Sequence, residues 1–179
     1  METSTMSSYE IRSPSVPLTS CASAKEPYWL ISAKDVFSSV VQGYKNAAPC
    51  TGWSYAARHT VQDSFLKTFK RLGVIYSDPV EFGIVFGAHS ASLQEKFHQK
   101  FPLPELTFYG LEPGKKKSTV IRCTKFSDCF LREIRYIGRE EYYSFYFSKI
   151  SDKIIVLDPQ TGRPTGNAVF TSDLTKDQK

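Results

Sequence analysis

The segment Lys125-Phe-Ser-Asp-Cys-Phe-Leu-Arg-Glu-Ile-Arg-Tyr-Ile-Gly138 decides how this chain is read. Phe130, Ile134 and Ile137 recur at the spacing that lines one face of a helix, and Gly138 is a natural stop because it enters the left-handed region without a Cβ clash. Residues 126–138 are therefore expected to form a helix. That assignment makes the protein an α+β domain: a mostly antiparallel sheet with two to three packed helices, a single domain with a disordered N-terminal arm.

Upstream, Glu26-Pro-Tyr-Trp-Leu-Ile-Ser32 is a short aromatic and β-branched run that suits a strand. Ser32-Ala-Lys-Asp35 then carries a helix-start signal, followed by Val36, Phe37, Val40, Val41 and Tyr44 on one stripe. Thr60-Val-Gln-Asp63 repeats that signal, with Phe65, Leu66, Phe69 and Leu72 on one face and Gly73 as terminator. Val80-Glu-Phe-Gly-Ile-Val-Phe-Gly87 reads as a strand or an apolar loop, with Gly83 marking a bulge or an exposed loop. Leu93–Phe101 is expected to be a short helix closed by Pro102. Leu106–Tyr109 and Ser118–Cys123 read as two arms of a hairpin, with Lys115, Lys116 and Lys117 at its tip or at the start of the returning strand.

Downstream of the deciding segment, Tyr142–Ser148 alternates, with Tyr143, Phe145 and Phe147 on a core side and Tyr142 and Tyr146 on the other. It is expected to pair with Ile154–Leu157, and Asp158–Gly166 is turn-rich. The domain plan is a Ser/Thr/Pro-rich arm over 1–25, a folded domain over 26–168 and a polar tail over 169–179.

With 179 residues, 41% of them apolar, the chain can bury a core without disulfides or metal. Its four cysteines show no paired short spacing, which argues for a reducing compartment over a secreted disulfide scaffold. The first 25 residues lack the charged-then-apolar pattern of a signal peptide. No window approaches the roughly 18 consecutive apolar residues of a spanning helix, so membrane contact would be peripheral. The net charge of +5 is concentrated in residues 61–139, which hold thirteen basic and eight acidic residues. Such a field suits phosphate-rich partners, and Lys67, Lys70, Arg71, Lys115, Lys116 and Lys117 are its candidate carriers.

The run from Gly110 to Thr119 superficially matches a nucleotide-binding loop. Only three residues separate Gly110 from Gly114, three lysines intervene before Ser118, and a strand pattern follows where the phosphates would need a helix. A polyanion-contacting hairpin or a solvated turn remains. Cys123 and Cys129 with His89 and His98 lack the tight pairs of a zinc site and read as packing residues. Cys50 with His59 could form a nucleophile–base pair, but no recognisable nucleophile setting accompanies them. The expectation is a protein that binds, with no catalytic residues, no metal and no cofactor.

The order of elements, with Ala33-Lys-Asp-Val-Phe-Ser-Ser-Val-Val41 near the first helix and Lys125-Phe-Ser-Asp128 opening the late one, resembles the rhabdovirus matrix proteins, particularly the small, cytorhabdovirus-like ones of plant-infecting members. The resemblance implies an α+β structural protein of the virion and host cytoplasm, membrane-associated, with the nucleus as a further location. It implies three partners: the chain itself, viral nucleoprotein with its RNA, and an anionic membrane surface bound peripherally. Val80, Phe82, Ile84, Val85 and Phe86 would occupy the exposed apolar loop used for self-association and membrane contact, and the six basic residues would meet lipid or nucleoprotein. Two departures stand out: residues 1–24 hold only Arg12 as a basic residue, and no Pro-Pro-x-Tyr motif is present. The alternative is a non-catalytic nucleic-acid-binding protein, such as an RNA-silencing suppressor, using the same lysines with Tyr142 and Tyr146 as stacking faces.

Overall fold

Residues 126–137 are extended, not helical. They belong to a 19-residue strand, β10 (Thr119–Ile137), which organises the rest of the molecule. The structure, a computed structural model, describes residues 28–41, 43–59, 75–113, 118–158 and 160–175. In chain order the other strands are β1 (Tyr28–Ser32), β2 (Val40–Val41), β3 (Tyr44–Lys45), β4 (Ala47–Cys50), β5 (Gly52–Ser54), β6 (Ala57–His59), β7 (Ile75–Ser77), β8 (Val80–Val85), β9 (Leu103–Glu112), β11 (Glu140–Tyr146), β12 (Lys149–Leu157) and β13 (Pro164–Asp173). One helix, α1 (Ala88–Gln99), is present among the described residues.

The helical spacing in β10 has a local cause. Thr124, Phe126, Cys129 and Leu131 face inward, and the three-residue step from Phe126 to Cys129 passes through Asp128, whose backbone is left-handed at φ 53°. A second irregularity falls at Arg132, between Leu131 and Glu133. A strand that slips phase twice acquires apolar spacings of two and three residues, which overlap a helix template. The residues chosen as the helix's apolar face show the error: Phe130 and Ile137 are 50% and 59% exposed. The α+β assignment is therefore corrected to a mostly antiparallel β fold.

The other helix expectations divide. Residues 33–37 form a turn after β1, followed by the short strands β2 and β3: Asp35 adopts φ 62°, and Ser32 Oγ donates to the Lys45 carbonyl at 3.2 Å where a helix cap was expected. Val36 and Phe37 still reach the core. The helix expected over 60–73 and the N-terminal arm lie outside the described residues. The short helix is present as α1, begun earlier than expected, where Gly87 N–H donates to Ser90 Oγ at 3.0 Å. The hairpin around the lysine run is also found, as β9 and β10 pair from Thr119 with Glu112 to Cys129 with Leu103.

Neighbouring strands follow the order β4-β1-β9-β10-β11-β8-β5. Its two ends are the halves of one chain segment: β4 pairs with β1, β5 pairs with β8, and only Thr51 separates them. Thr51 N–H donates to the Gly83 carbonyl at 2.9 Å, so the path closes on itself as a barrel and removes two open edges. Inside, Phe126 is the hub, with ring centroids of Trp53, Tyr55, Phe108, Phe145 and Phe147 between 4.8 and 6.0 Å away, mostly edge-on. Phe82 stacks on Tyr143 at 5.2 Å and extends this aromatic core toward β8.

Gly83 is neither a bulge nor in an exposed loop; it is a close approach within a paired strand. It faces Gly52 across the closing pair, and a Cβ built on it would lie 2.5 Å from Thr51 Oγ1 and 3.0 Å from Tyr142 Cε1. Gly83→Ala is expected to lower the unfolding free energy in urea by about 1–3 kcal/mol. Gly52→Ala, whose Cβ would meet nothing within 4 Å, should leave stability within about 1 kcal/mol of the parent. Adding Thr51→Ala should recover part of the Gly83→Ala loss; full additivity would rule out the steric account.

Candidate self-association surface

Of the residues expected to form a site, only those of the 80–86 segment are described. Lys67, Lys70, Arg71, Lys115, Lys116 and Lys117 lie outside the described residues. Val80, Phe82 and Ile84 are core residues of β8, and only Val85 and Phe86 are exposed, at its end. The expected apolar loop is thus a paired strand whose alternate side chains are committed to the barrel. Tyr142 and Tyr146 are not bare stacking faces either. Arg135 lies 6.0 Å from the Tyr142 ring centroid and Arg132 5.7 Å from that of Tyr146, and the Tyr142 hydroxyl donates to Glu140 Oε2.

The described histidine and cysteine candidates have packing environments. His89 packs on Phe37 at 5.3 Å, and burial lowers its pKa. Cys129 is buried in β10, where burial pushes its thiol up to about 12. Cys50 is likewise pushed up to about 11 by burial while its Sγ donates to the Gly52 carbonyl at 3.1 Å. That is opposite to the thiolate character of a nucleophile. Among the described residues no three His, Cys, Asp or Glu side chains are grouped as metal ligands would be.

What the structure does assemble is an arm. β11 and β12 run antiparallel to β10 as successive partners: Phe130 pairs with Tyr146, and Ser127 with Lys149. Both sides are kinked at one level, where the Ser148 hydroxyl donates to the Asp128 carboxylate and Ser148 N–H donates to the Ser127 carbonyl at 3.0 Å. Beyond the kink β12 pairs with β10 and with β13, not with β11 as the alternation predicts. β13 continues to Asp173, so part of the expected polar tail is strand.

One face of this arm prolongs the interior of the barrel. Along β12, Ile150, Asp152, Ile154 and Val156 share that face by strand alternation, with exposures of 5%, 9%, 45% and 49%. Phe170 of β13, opposite Asp152 and 57% exposed, lies on it too. An apolar core face thus runs out past the barrel wall that would cover it. Its base is fastened by Asp152, which accepts Arg122 Nε at 3.1 Å, Arg122 Nη2 at 2.8 Å and Thr124 Oγ1 at 2.7 Å. Arg122 also lies 5.5 Å from the Trp53 ring centroid, joining the clamp to the aromatic core. At the far end Asp158 accepts the N–H groups of Gln160 and Thr161 at 2.7 and 2.9 Å, and these bonds lower its pKa.

No protein-family profile and no curated protein match the sequence. Solved structures do match. A type six secretion system protein superposes with a TM-score of 0.75 at 14% identity over 86% of this chain and 99% of its own. Hcp1 from Salmonella typhimurium gives 0.64 at 13% identity over 84% and 96%, and the secreted protein Hcp3 from Pseudomonas aeruginosa 0.58 at 12% over 83% and 99%. The fold is shared with Hcp proteins of type VI secretion.

This finding overturns the rhabdovirus resemblance, and with it the viral matrix function and the virion and host-cell location. The nucleic-acid-binding alternative gains no support. The short matches behind the resemblance sit in a turn and at the kink of β10, where they encode irregular strand, not helix starts. No helix among the described residues is long and apolar enough to cross a membrane. The arm was missed because its signal, period-two alternation over 150–156, includes a charged residue on the core face. Asp152 reads as a solvent position until Arg122 and Thr124 are brought beside it.

Asp152→Asn should destabilise the protein by about 1–3 kcal/mol in urea, toward the lower end because the Arg122 side chain is 40% exposed. Carbon-detected NMR titration should place the Asp158 carboxyl midpoint below the ordinary 3.8. Because the native pKa is lowered, its contribution to the turn is present above that ordinary value and disappears as pH falls through the native one. A midpoint at or above 3.8 would contradict the turn geometry.

Proposed function

We propose that the chain is a structural, non-catalytic subunit of a type VI secretion apparatus of Hcp type, acting by self-association. The observation that carries this reading is the β12–β13 arm, whose core-side face is left uncovered on a barrel that spans nearly the whole of an Hcp-like neighbour. Self-association is the property associated with Hcp proteins. Ile154, Val156 and Phe170 are each about half exposed. Covering the remainder on a second copy would contribute roughly 1 kcal/mol apiece from apolar burial, before the cost of association.

An arm seated on a different surface of the next copy makes a heterologous contact. Repeated, such contacts close into a ring or continue as a tube, which is the geometry a conduit requires. No chemical step is assigned to the chain. The buried, protonated Cys50 and Cys129 fit packing roles. The bacterial export apparatus replaces virion and host cytoplasm as the proposed location, and other copies of this chain replace nucleoprotein and lipid as the proposed partner.

Sedimentation velocity on the full chain tests the reading. The parent is expected to sediment as a multiple of the 20.3 kDa protomer. Val156→Asp with Phe170→Asp should weaken association at least tenfold, about 1.4 kcal/mol, while the circular dichroism stays that of the parent. A parent that remains monomeric up to about 100 μM, a concentration at which even weak specific pairs associate, would refute it.

A further inference from the structure

A groove of about 480 Å³ lies between the C-terminal end of α1 and β10, lined by Lys96, Phe97, His98, Lys100, Phe101, Phe130 and Leu131. Three observations specify what fits it. The first is charge: none of the lining residues is acidic, and Lys96, His98 and Lys100 take part in none of the ion pairs among the described residues. The second is apolar surface. Phe101 and Phe130 are 58% and 50% exposed although both border a concave surface.

The third is an open strand edge. β9 begins at Leu103, opposite Cys129, so β10 has no partner on that edge from Phe130 to Ile137 among the described residues, while its other edge is paired with β11. The Gln94 amide donates to the Tyr136 hydroxyl at 2.8 Å and holds α1 beside this edge. A strand edge flanked by a helix offers main-chain hydrogen bonds to an extended peptide and a pocket for one of its side chains.

The backbone at Lys100 adds a second line of support. α1 ends with Phe101 N–H donating to the Lys96 carbonyl at 3.0 Å and Lys100 N–H to Phe97 at 3.3 Å, a motif that puts residue 100 in the left-handed region. Lys100 has φ 56° and ψ 30°, where glycine fits best. Lys100 holds this left-handed position as one of the residues lining the groove.

We infer that this groove docks an extended acidic peptide segment of a partner protein, adding a strand to β10 with an aromatic or large aliphatic side chain set among Phe97, Phe101 and Phe130 and carboxylates facing Lys96 and Lys100. Single-stranded nucleic acid suits the site less well: its backbone needs a row of cations along several nucleotides, whereas these lie within one helical turn. The inference stands apart from the arm, since no residue of β12 or β13 lines the groove.

The test is fluorescence anisotropy with the full chain and a fluorescein-labelled synthetic peptide, Asp-Glu-Phe-Asp-Phe-Glu. Saturable one-to-one binding is expected, weakened at least tenfold when the acids become amides, when alternate peptide nitrogens are methylated, and in Lys96→Gln and Lys100→Gly. Lys100→Gly should melt at or above the parent temperature, because it relieves the left-handed backbone, and should sediment like the parent. That combination separates lost recognition from lost structure. Four results would overturn the inference: no saturation up to about 1 mM peptide, equal affinity for the amide peptide, tighter competition by an oligodeoxythymidylate, or dissociation of the self-associated chain by the peptide, which would make the groove a contact between copies.

Discussion

The shape of this protein depends on a paired kink. At Asp128 in β10 and at Ser148 between β11 and β12, both strands of one long antiparallel ribbon step out of phase at the same level, and the Ser148 hydroxyl is bound by the Asp128 carboxylate. Aspartate suits the position because its short polar side chain tolerates a left-handed backbone. The inward face advances by three residues on each strand, from Phe126 to Cys129 and from Phe147 to Ile150. Without the matched step, the inward residues on one side of the kink would point to solvent.

Much of the architecture follows. On one side of the kink β11 pairs with β8 and joins the barrel wall; on the other β12 carries β13 and leaves it, while β10 stays paired with β9. Phe126, adjacent to the kink, can then face rings from both sides and act as the aromatic hub. The barrel is completed at a distance, where the chain switches partners at Thr51 against the backbone of Gly83. The arm's inner face begins as core at Ile150 and ends half exposed at Val156. The incompletely covered surface and the fold are consequences of the same irregularity.

Legibility in the sequence tracked how local the determining interactions are. The alternation of Tyr143, Phe145 and Phe147 was readable, and all three are buried. So were the β9–β10 hairpin, the helix at α1 and the turn at Asp158–Gly162, each set by near neighbours. β10 was misread because two phase slips in a strand produce the spacing of a helix. The turn at 33–37 was misread because Ser32 and Asp35 suit a helix start as well as the turn they make. The candidate surface was illegible for another reason: Asp152 has a core position only because Arg122, thirty residues away, arrives beside it with two parallel donors.

By itself the sequence determined that there is a core, which short segments alternate, and that the chain turns after Asp158. Local sterics and side-chain periodicity act within a few residues, so such features need no knowledge of the fold. The close approach at Gly83 belongs to the tertiary structure. The tertiary structure alone decided that β10 is a strand, that β4 and β5 close a barrel through Thr51, and that β12 pairs with β10 and β13 instead of β11. It also decided which apolar residues are left uncovered. Those outcomes rest on contacts between residues far apart in the chain, where the hydrogen bonds and burial of a partner strand outweigh the weak local preference between helix and strand.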